Sequence, residues 1–282
     1  MEIIVAKNAG FCFGVKRAIE ETNALLSNRK SKIYSIGSLI HNEHVVNKLK
    51  ENGLIELNSI NDIKCLKNET VIIRTHGIEK EIKELLIGNG NELIDLTCPF
   101  VKKIHEVVQK YSNDGYTVIV IGDKNHPEVR GIVSYGKDIY VVINESDIKN
   151  LNIPIKSKIL VVFQTTINSS NAEKLVDILC KIYYNIEVIN TICNTTKDRQ
   201  EEVVSLARVL DVILIIGSPN SSNTIKLLEL AKQYCDKAYL VTDKNSLSNL
   251  NINKNEKVGV CAGASTPQYL IEEILTNVRN EF

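Results

Sequence analysis

The chain has 282 residues, 44% hydrophobic and only 5% aromatic, with 34 basic against 34 acidic side chains. Balanced charge and few aromatics speak against a nucleic-acid partner, which needs basic surface and stacking rings, and no apolar run approaches the ~20 residues of a membrane span. MEIIVAKNAGF has no basic region followed by a long apolar core, and seven cysteines form no CxxC pair and are odd in number, so a cytoplasmic, reducing setting without a disulfide framework is expected.

EIIVA reads as a strand that ends in AGFCFGVKR, and VKRAIEETNALL after Cys12 reads as an amphipathic helix. A strand then runs into Gly37, with His41 four residues on, followed by a short strand and capped turn, LIELNSINDI. VIIRTHG is a strand ending at His76, and after a helix ELIDLTC returns to Cys98. The same order follows Cys98: helix VKKIHEVVQKYSNDG, strand VIVIG to Gly122 with His126 four residues on, IYVVINESDI, then ILVVFQTT with Thr165 and Thr166. INTIC reaches Cys193, and the order recurs as KDRQEEVVSLARVL, ILIIG to Gly217 with Ser221 four residues on, AYLVTDKNSL, and VGVCAGAST with Ser265.

This is a threefold internal repeat. Cys12 to Gly37 spans 25 residues, and Cys98 to Gly122 and Cys193 to Gly217 span 24 each. The third copy lacks a return strand, and EIIVAKNAGFC has the pattern to supply it, so the repeat closes into a ring. The expected fold class is α/β, with three pseudo-symmetric α/β lobes built on parallel sheets. Residues 1–12 complete the third lobe and give the first cysteine; 13–97, 98–192 and 193–282 are the lobes. Polar residues gather at the carboxyl ends of parallel strands, so Cys12, Cys98 and Cys193 are expected to meet on the pseudo-threefold axis.

Three cysteines at equivalent positions could be inherited packing positions, but Val or Ala would pack as well. Softness points to zinc or iron–sulfur, and three ligands leave a coordination position open to substrate. A [4Fe–4S] cluster with one such iron would be both electron reservoir and Lewis acid. His41, His76, Ser221, Ser222, Asn223 and Ser265 are hydrogen-bonding residues at strand ends, and Ser221 and Ser222 open a helix whose N–H groups suit phosphate. Together they point to an anionic, phosphorylated small molecule. NHPEVRG places His126 and Glu128 beside the same point, where an acid can protonate a leaving hydroxyl. A Glu in a first helical turn is also what the helix dipole favours.

The set AGFCFGVKRAI, LIHN, THG, DLTCP, NHPEVRG, QTT, TICNTT, NSSN and AGAST resembles the 4-hydroxy-3-methylbut-2-enyl diphosphate reductase family, in order and over essentially the whole chain. The resemblance implies three lobes around one central [4Fe–4S] cluster with an open iron site, held by Cys12, Cys98 and Cys193. It implies reductive removal of an allylic hydroxyl to give isopentenyl and dimethylallyl diphosphates, with ferredoxin or flavodoxin as electron donor. Glu128 is then the proton donor, assisted by His126, and Thr165 holds the substrate hydroxyl. His41, His76, Ser221, Ser222, Asn223 and Ser265 hold the diphosphate. Pro219, Thr224 and the Arg74 of RTHG depart from the usual family pattern. His44 and His105 read as structural or solvent-facing, and Cys65, Cys180, Cys235 and Cys261 as packing residues. Alternatives are a cluster-dependent dehydratase of the quinolinate synthase type and a non-catalytic metal- and phospho-ligand-binding protein.

Overall fold

The computed structural model describes residues 1–28, 31–248 and 250–281. The chain divides into two compact units, residues 17–39 with 49–193, and residues 1–16 with 40–48 and 194–282. Three four-stranded sheets are present among the described residues, parallel at every pairing.

The larger unit holds two of them. Strands β2 (Ile33–Ile36), β3 (Leu54–Leu57), β4 (Thr70–Ile73) and β5 (Glu92–Asp95) run in the order β3-β2-β4-β5. Strands β6 (Thr117–Ile121), β7 (Ile139–Val142), β8 (Ile159–Phe163) and β9 (Ile186–Val188) repeat that order as β7-β6-β8-β9. In the other unit β10 (Val212–Ile216), β11 (Ala238–Val241) and β12 (Lys257–Ala262) take it up again, with β1 (Glu2–Val5) on the far side of β12, giving β11-β10-β12-β1. Glu2 is paired with Lys257 and Val5 with Val260.

The central strands read as unbroken apolar runs because helices cover both faces of a parallel sheet. Ile119, Ile121, Ile159, Val161 and Phe163 enter one core, whereas Val118, Val120, Leu160 and Val162 enter the opposite one. β10 divides likewise, Leu214 and Ile216 to one side and Ile213 and Ile215 to the other.

Helices α1 (Phe13–Asn28), α2 (Glu43–Glu51), α3 (Ile60–Cys65), α4 (Lys80–Gly88), α5 (Pro99–Asn113) and α6 (Pro127–Ser134) connect these strands. So do α7 (Glu145–Lys149), α8 (Ser169–Ile182), α9 (Asn194–Ala207) and α10 (Ser222–Lys232), and α11 (Gln268–Glu281) follows β12. Helices α1, α5 and α9 begin immediately after Cys12, Cys98 and Cys193. Parallel pairing therefore puts every strand-to-helix junction of one sheet at the same edge, and that edge positions the site residues. No helix among the described residues is long and apolar enough to cross a membrane.

Candidate functional site

Each of the three repeat cysteines is half-buried, and its backbone N–H is held by the end of the neighbouring strand. Cys98 donates to the carbonyl of Thr75 at 2.9 Å, Cys193 to Thr165 at 3.1 Å and Cys12 to Ala264 at 3.0 Å. The residues after those acceptors are His76, Thr166 and Ser265, so the bond recurs in register in all three copies. Each cysteine backbone is thereby held beside the polar cluster of its adjacent strand.

In the larger unit, β6 and β8 bring Glu128 and Thr165 together. Thr165 donates its backbone N–H to Glu128 Oε1 at 2.6 Å and its hydroxyl to Oε2 at 2.7 Å. The Glu128 side chain is 1% exposed, and burial raises its carboxyl above the ordinary range even though both bonds from Thr165 pull the other way. Glu128 stands in the first turn of α6, whose N-cap His126 accepts the Glu128 N–H at Nδ1, 3.2 Å away. Because Nδ1 accepts, a neutral His126 carries its hydrogen on Nε2. His76, at the end of β4, meets His126 edge to face, ring centroids 5.4 Å apart. The loop that leads into Cys98 is fixed by Arg17, which donates to the carbonyls of Leu96 and Thr97 at 3.2 and 2.9 Å. Arg74 is buried and donates through Nε to the Gly77 carbonyl at 3.3 Å, bracing the turn after His76.

In the other unit, Ser221 caps α10 by accepting the Thr224 N–H, and Ser222 and Asn223 form its first turn. Asn223 is 5% exposed and neither end of its amide has a protein partner among the described residues. A buried amide with both ends unpaired costs free energy unless a ligand satisfies it. Gly217 has φ +154° and leaves room for Thr224; a Cβ there would lie 2.7 Å from the Thr224 hydroxyl. Ser265 donates its hydroxyl to the carbonyl of His41 at 3.0 Å, joining those two segments. Serines, an unpaired amide and the N–H groups of an eleven-residue helix are chemically able to receive anionic oxygens.

Residues that periodicity does not single out hold this region. Arg199 of α9, 5% exposed, donates to the carbonyls of Gly10 at 2.8 Å and Ala262 at 3.5 Å. Glu202 accepts the backbone N–H groups of Lys7 and Asn8 at 2.6 and 3.2 Å. Both pin the segment that leads to Cys12. They lie one helical turn apart, after a cysteine, and that spacing is the only signal in the sequence.

The remaining cysteines differ from one another. Cys235 and Cys261 are buried, and burial pushes the Cys261 thiol up to about 12, so both serve as packing residues. Cys65 and Cys180 are exposed, which corrects the expectation that all four are packing residues. His44 is exposed, whereas His105 is buried.

Residues 3–279 match the protein family described as LytB protein. A 4-hydroxy-3-methylbut-2-enyl diphosphate reductase of Campylobacter fetus subsp. fetus is 42% identical over 282 residues, covering 99% of this chain and 98% of the relative. The protein of that name from Caldanaerobacter subterraneus subsp. tengcongensis is 38% identical over 281 residues, covering 99% and 97%. Among solved structures, the E-1-hydroxy-2-methyl-but-2-enyl-4-diphosphate reductase of Plasmodium falciparum superposes with a TM-score of 0.90 at 31% identity, covering 99% of this chain and 88% of its own. A second, an (E)-4-hydroxy-3-methyl-but-2-enyl diphosphate reductase described as the terminal enzyme of the non-mevalonate pathway, gives a TM-score of 0.71 at 37% identity, covering 99% and 100%. Three parallel-sheet lobes in one repeated strand order, and sequence matches running almost from end to end, place the chain in the LytB family.

Proposed function

We infer that this chain is an iron–sulfur oxidoreductase that converts 4-hydroxy-3-methylbut-2-enyl diphosphate to isopentenyl and dimethylallyl diphosphates. The observation that carries this reading is Glu128, a carboxyl buried at the carboxyl end of a parallel sheet, raised by that burial and bonded twice by Thr165. It is an acid kept ready beside a hydroxyl that can touch substrate, in a chain of this family.

Cys12, Cys98 and Cys193 would hold one [4Fe–4S] cluster. All three lie outside any disulfide, half-buried and fixed through the backbone, and three soft ligands of this kind suit a cluster with one iron left open. When bound, such a cluster supplies electrons and, at the open iron, a Lewis acid for the substrate oxygen.

The protein's own residues do the rest. His41, His76, Ser221, Ser222, Asn223 and Ser265 hold the diphosphate, the helix N-terminus and the Asn223 amide meeting its charged oxygens. When Glu128 is protonated, its bond with Thr165 reverses: the carboxyl donates to Oγ1, and the Thr165 hydroxyl turns to donate to the substrate oxygen. A proton thus leaves Glu128 Oε2 and arrives, across Thr165 Oγ1, on the departing hydroxyl, which goes as water. His126, with its hydrogen on Nε2, supports the same oxygen. Two electrons and two protons enter, one proton leaving in the water and the other reaching an allylic carbon. A ferredoxin or flavodoxin is the electron donor, and the setting is the cytoplasm. In this reading residues 1–12 belong with 193–282, consistent with the pairing of β1 and β12.

The test is an assay of anaerobically reconstituted protein with and without a strong reductant. Isopentenyl and dimethylallyl diphosphates forming only with reductant is the expected result. Conversion without any reductant would point instead to a dehydratase, and no conversion in a cluster-loaded sample to a binding protein.

A further inference from the structure

Three segments that carry proposed site residues rest on one side chain outside that set. His105 lies on α5, the helix that starts at Cys98, and is 6% exposed. Its ring stacks on Tyr135, with centroids 4.2 Å apart and planes 13° from parallel. A Cβ at Gly77 would stand 2.9 Å from its Cε1, and one at Gly131 3.4 Å from its Nε2. The imidazole therefore occupies the space that two glycines leave. Gly77 directly follows His76, and Gly131 stands on α6 one turn after Glu128.

Both sides of this joint are tied together nearby. The Lys80 N–H at the start of α4 donates to Ser134 Oγ on α6 at 2.8 Å, and Arg130 of α6 lies 3.5 Å from Glu79. His105 Nε2 has no hydrogen-bond partner among the described residues, which an apolar side chain in the same place would avoid. Burial holds the ring down to about 4, with Asp95 opposing the shift and Lys83 and Lys102 adding to it. At neutral pH the wedge is uncharged and its shape is constant.

We propose that His105 is a positioning residue for the reaction: its ring, between Gly77 and Gly131, sets the separation of the His76 turn from the helix that begins with Glu128. The proposal rests on the reductase reading above. His76 and His126 meet ring edge to ring face, a contact that a slip of α6 against the His76 turn would break. Misplacing reacting groups by about 1 Å can cost on the order of 100-fold in rate. Of the six residues assigned to the diphosphate, His76 alone shares this unit and the other five belong to the other compact unit, so most of the binding should survive a change at His105.

The experiment compares cluster-loaded wild type, His105→Ala and His105→Gln at matched iron and sulfide content, each with its thermal midpoint. For His105→Ala we expect kcat down roughly 10- to 100-fold with KM within about threefold. Gln is planar, uncharged and reaches about as far as Nε2, so His105→Gln should regain most of kcat. A purely structural role would lower the thermal midpoint while leaving kcat per cluster unchanged, and that result overturns the proposal. So does a loss that Gln fails to restore. Should His105→Ala not fold, His105→Asn, planar and uncharged but shorter than the ring, replaces it, and an unchanged kcat there overturns the proposal. Absence of turnover in the cluster-loaded wild type would instead fail the reductase reading, and the inference with it.

Discussion

Thr165 grips both carboxyl oxygens of Glu128, one with its backbone N–H and one with its hydroxyl. The backbone bond fixes where the carboxyl sits. The hydroxyl bond can change direction, because a hydroxyl both donates and accepts. In the proposed reaction, position and proton traffic thus fall to two different atoms of one residue.

Glu128→Gln separates those roles. Gln keeps the volume and can still accept the Thr165 N–H, but it has no proton to deliver, so turnover should fall ~10²–10⁴-fold at unchanged cluster content. Stability should move the other way. The folded carboxyl titrates above its unfolded value of about 4.3, so the native state holds more protons and loses stability as pH rises past that value. Glu128→Gln should therefore unfold at higher temperature than wild type at pH 7–8, the gap narrowing towards pH 4. Equal melting curves across that range would contradict a buried, raised carboxyl.

The cysteines sort by the register of their backbone bonds. Ser at Cys12, Cys98 or Cys193 should abolish stable iron and sulfide binding. Ser at Cys65, Cys180, Cys235 or Cys261 should leave the cluster in place, although the two buried positions will also cost stability. Full iron content in Cys98→Ser would remove that residue from the ligand set.

Asn223 offers a test of the phosphate receptor from the protein side. Asn223→Ala and Ser221→Ala each remove a donor to a charged oxygen, a loss of ~1.5–3 kcal/mol, or about 10- to 100-fold in Kd for the diphosphate. The Asn223 amide has no protein partner to lose, so Asn223→Ala should leave the melting temperature of ligand-free protein nearly unchanged or higher. Calorimetric titration of both variants with substrate measures the first effect and thermal unfolding the second.

Acid should destabilise the larger unit in two stages. His105 titrates near 4 when folded and near 6.5 when not, so the native state binds fewer protons between those values and stability falls as pH drops through that window. Asp95 follows lower down: burial would raise it, but bonds from Thr97 and Lys83 bring it to about 2, and its contribution, present above about 4, is lost as pH falls towards 2. Urea unfolding midpoints at a series of pH values should lose the upper stage in His105→Gln and keep the lower. Glu128 opposes this in the same window, so the check is made in Glu128→Gln, where a midpoint flat from pH 6.5 to 4 would be inconsistent with a buried neutral His105.

The sheets were legible in the sequence because runs such as TVIVI and VILII must be covered on both faces, and their repetition at fixed distance from Cys98 and Cys193 marks one unit used again. Ser221 and Glu128 were legible because helix starts have their own residue preferences. Arg199, Glu202 and His105 were not. Arg199 and Glu202 act across most of the chain's length, at 189 residues from Gly10 and 195 from Lys7, and helical spacing tells only which face a residue shares. His105 carries a polar atom onto a buried face, where composition alone gives no reason to expect it. The exposure of Cys65 and Cys180 is not legible in the sequence because spacing shows that a cysteine lies outside the repeat, not what surrounds it.

The pairing of Glu2 with Lys257 also sets an order of events during synthesis. β1 leaves the ribosome well before its partner strand β12, because the other ten strands lie between them in the chain. At ~5–20 residues per second the wait is on the order of tens of seconds, during which an apolar segment has no neighbour and its edge is open to wrong pairing. The N–H of Cys12 has no Ala264 carbonyl to meet until the same moment. Two of the three proposed cluster cysteines can therefore be in place while Cys12 is still on a loose end, so iron–sulfur insertion should follow the emergence of β12, and nascent chains stopped before β12 should hold no stable cluster.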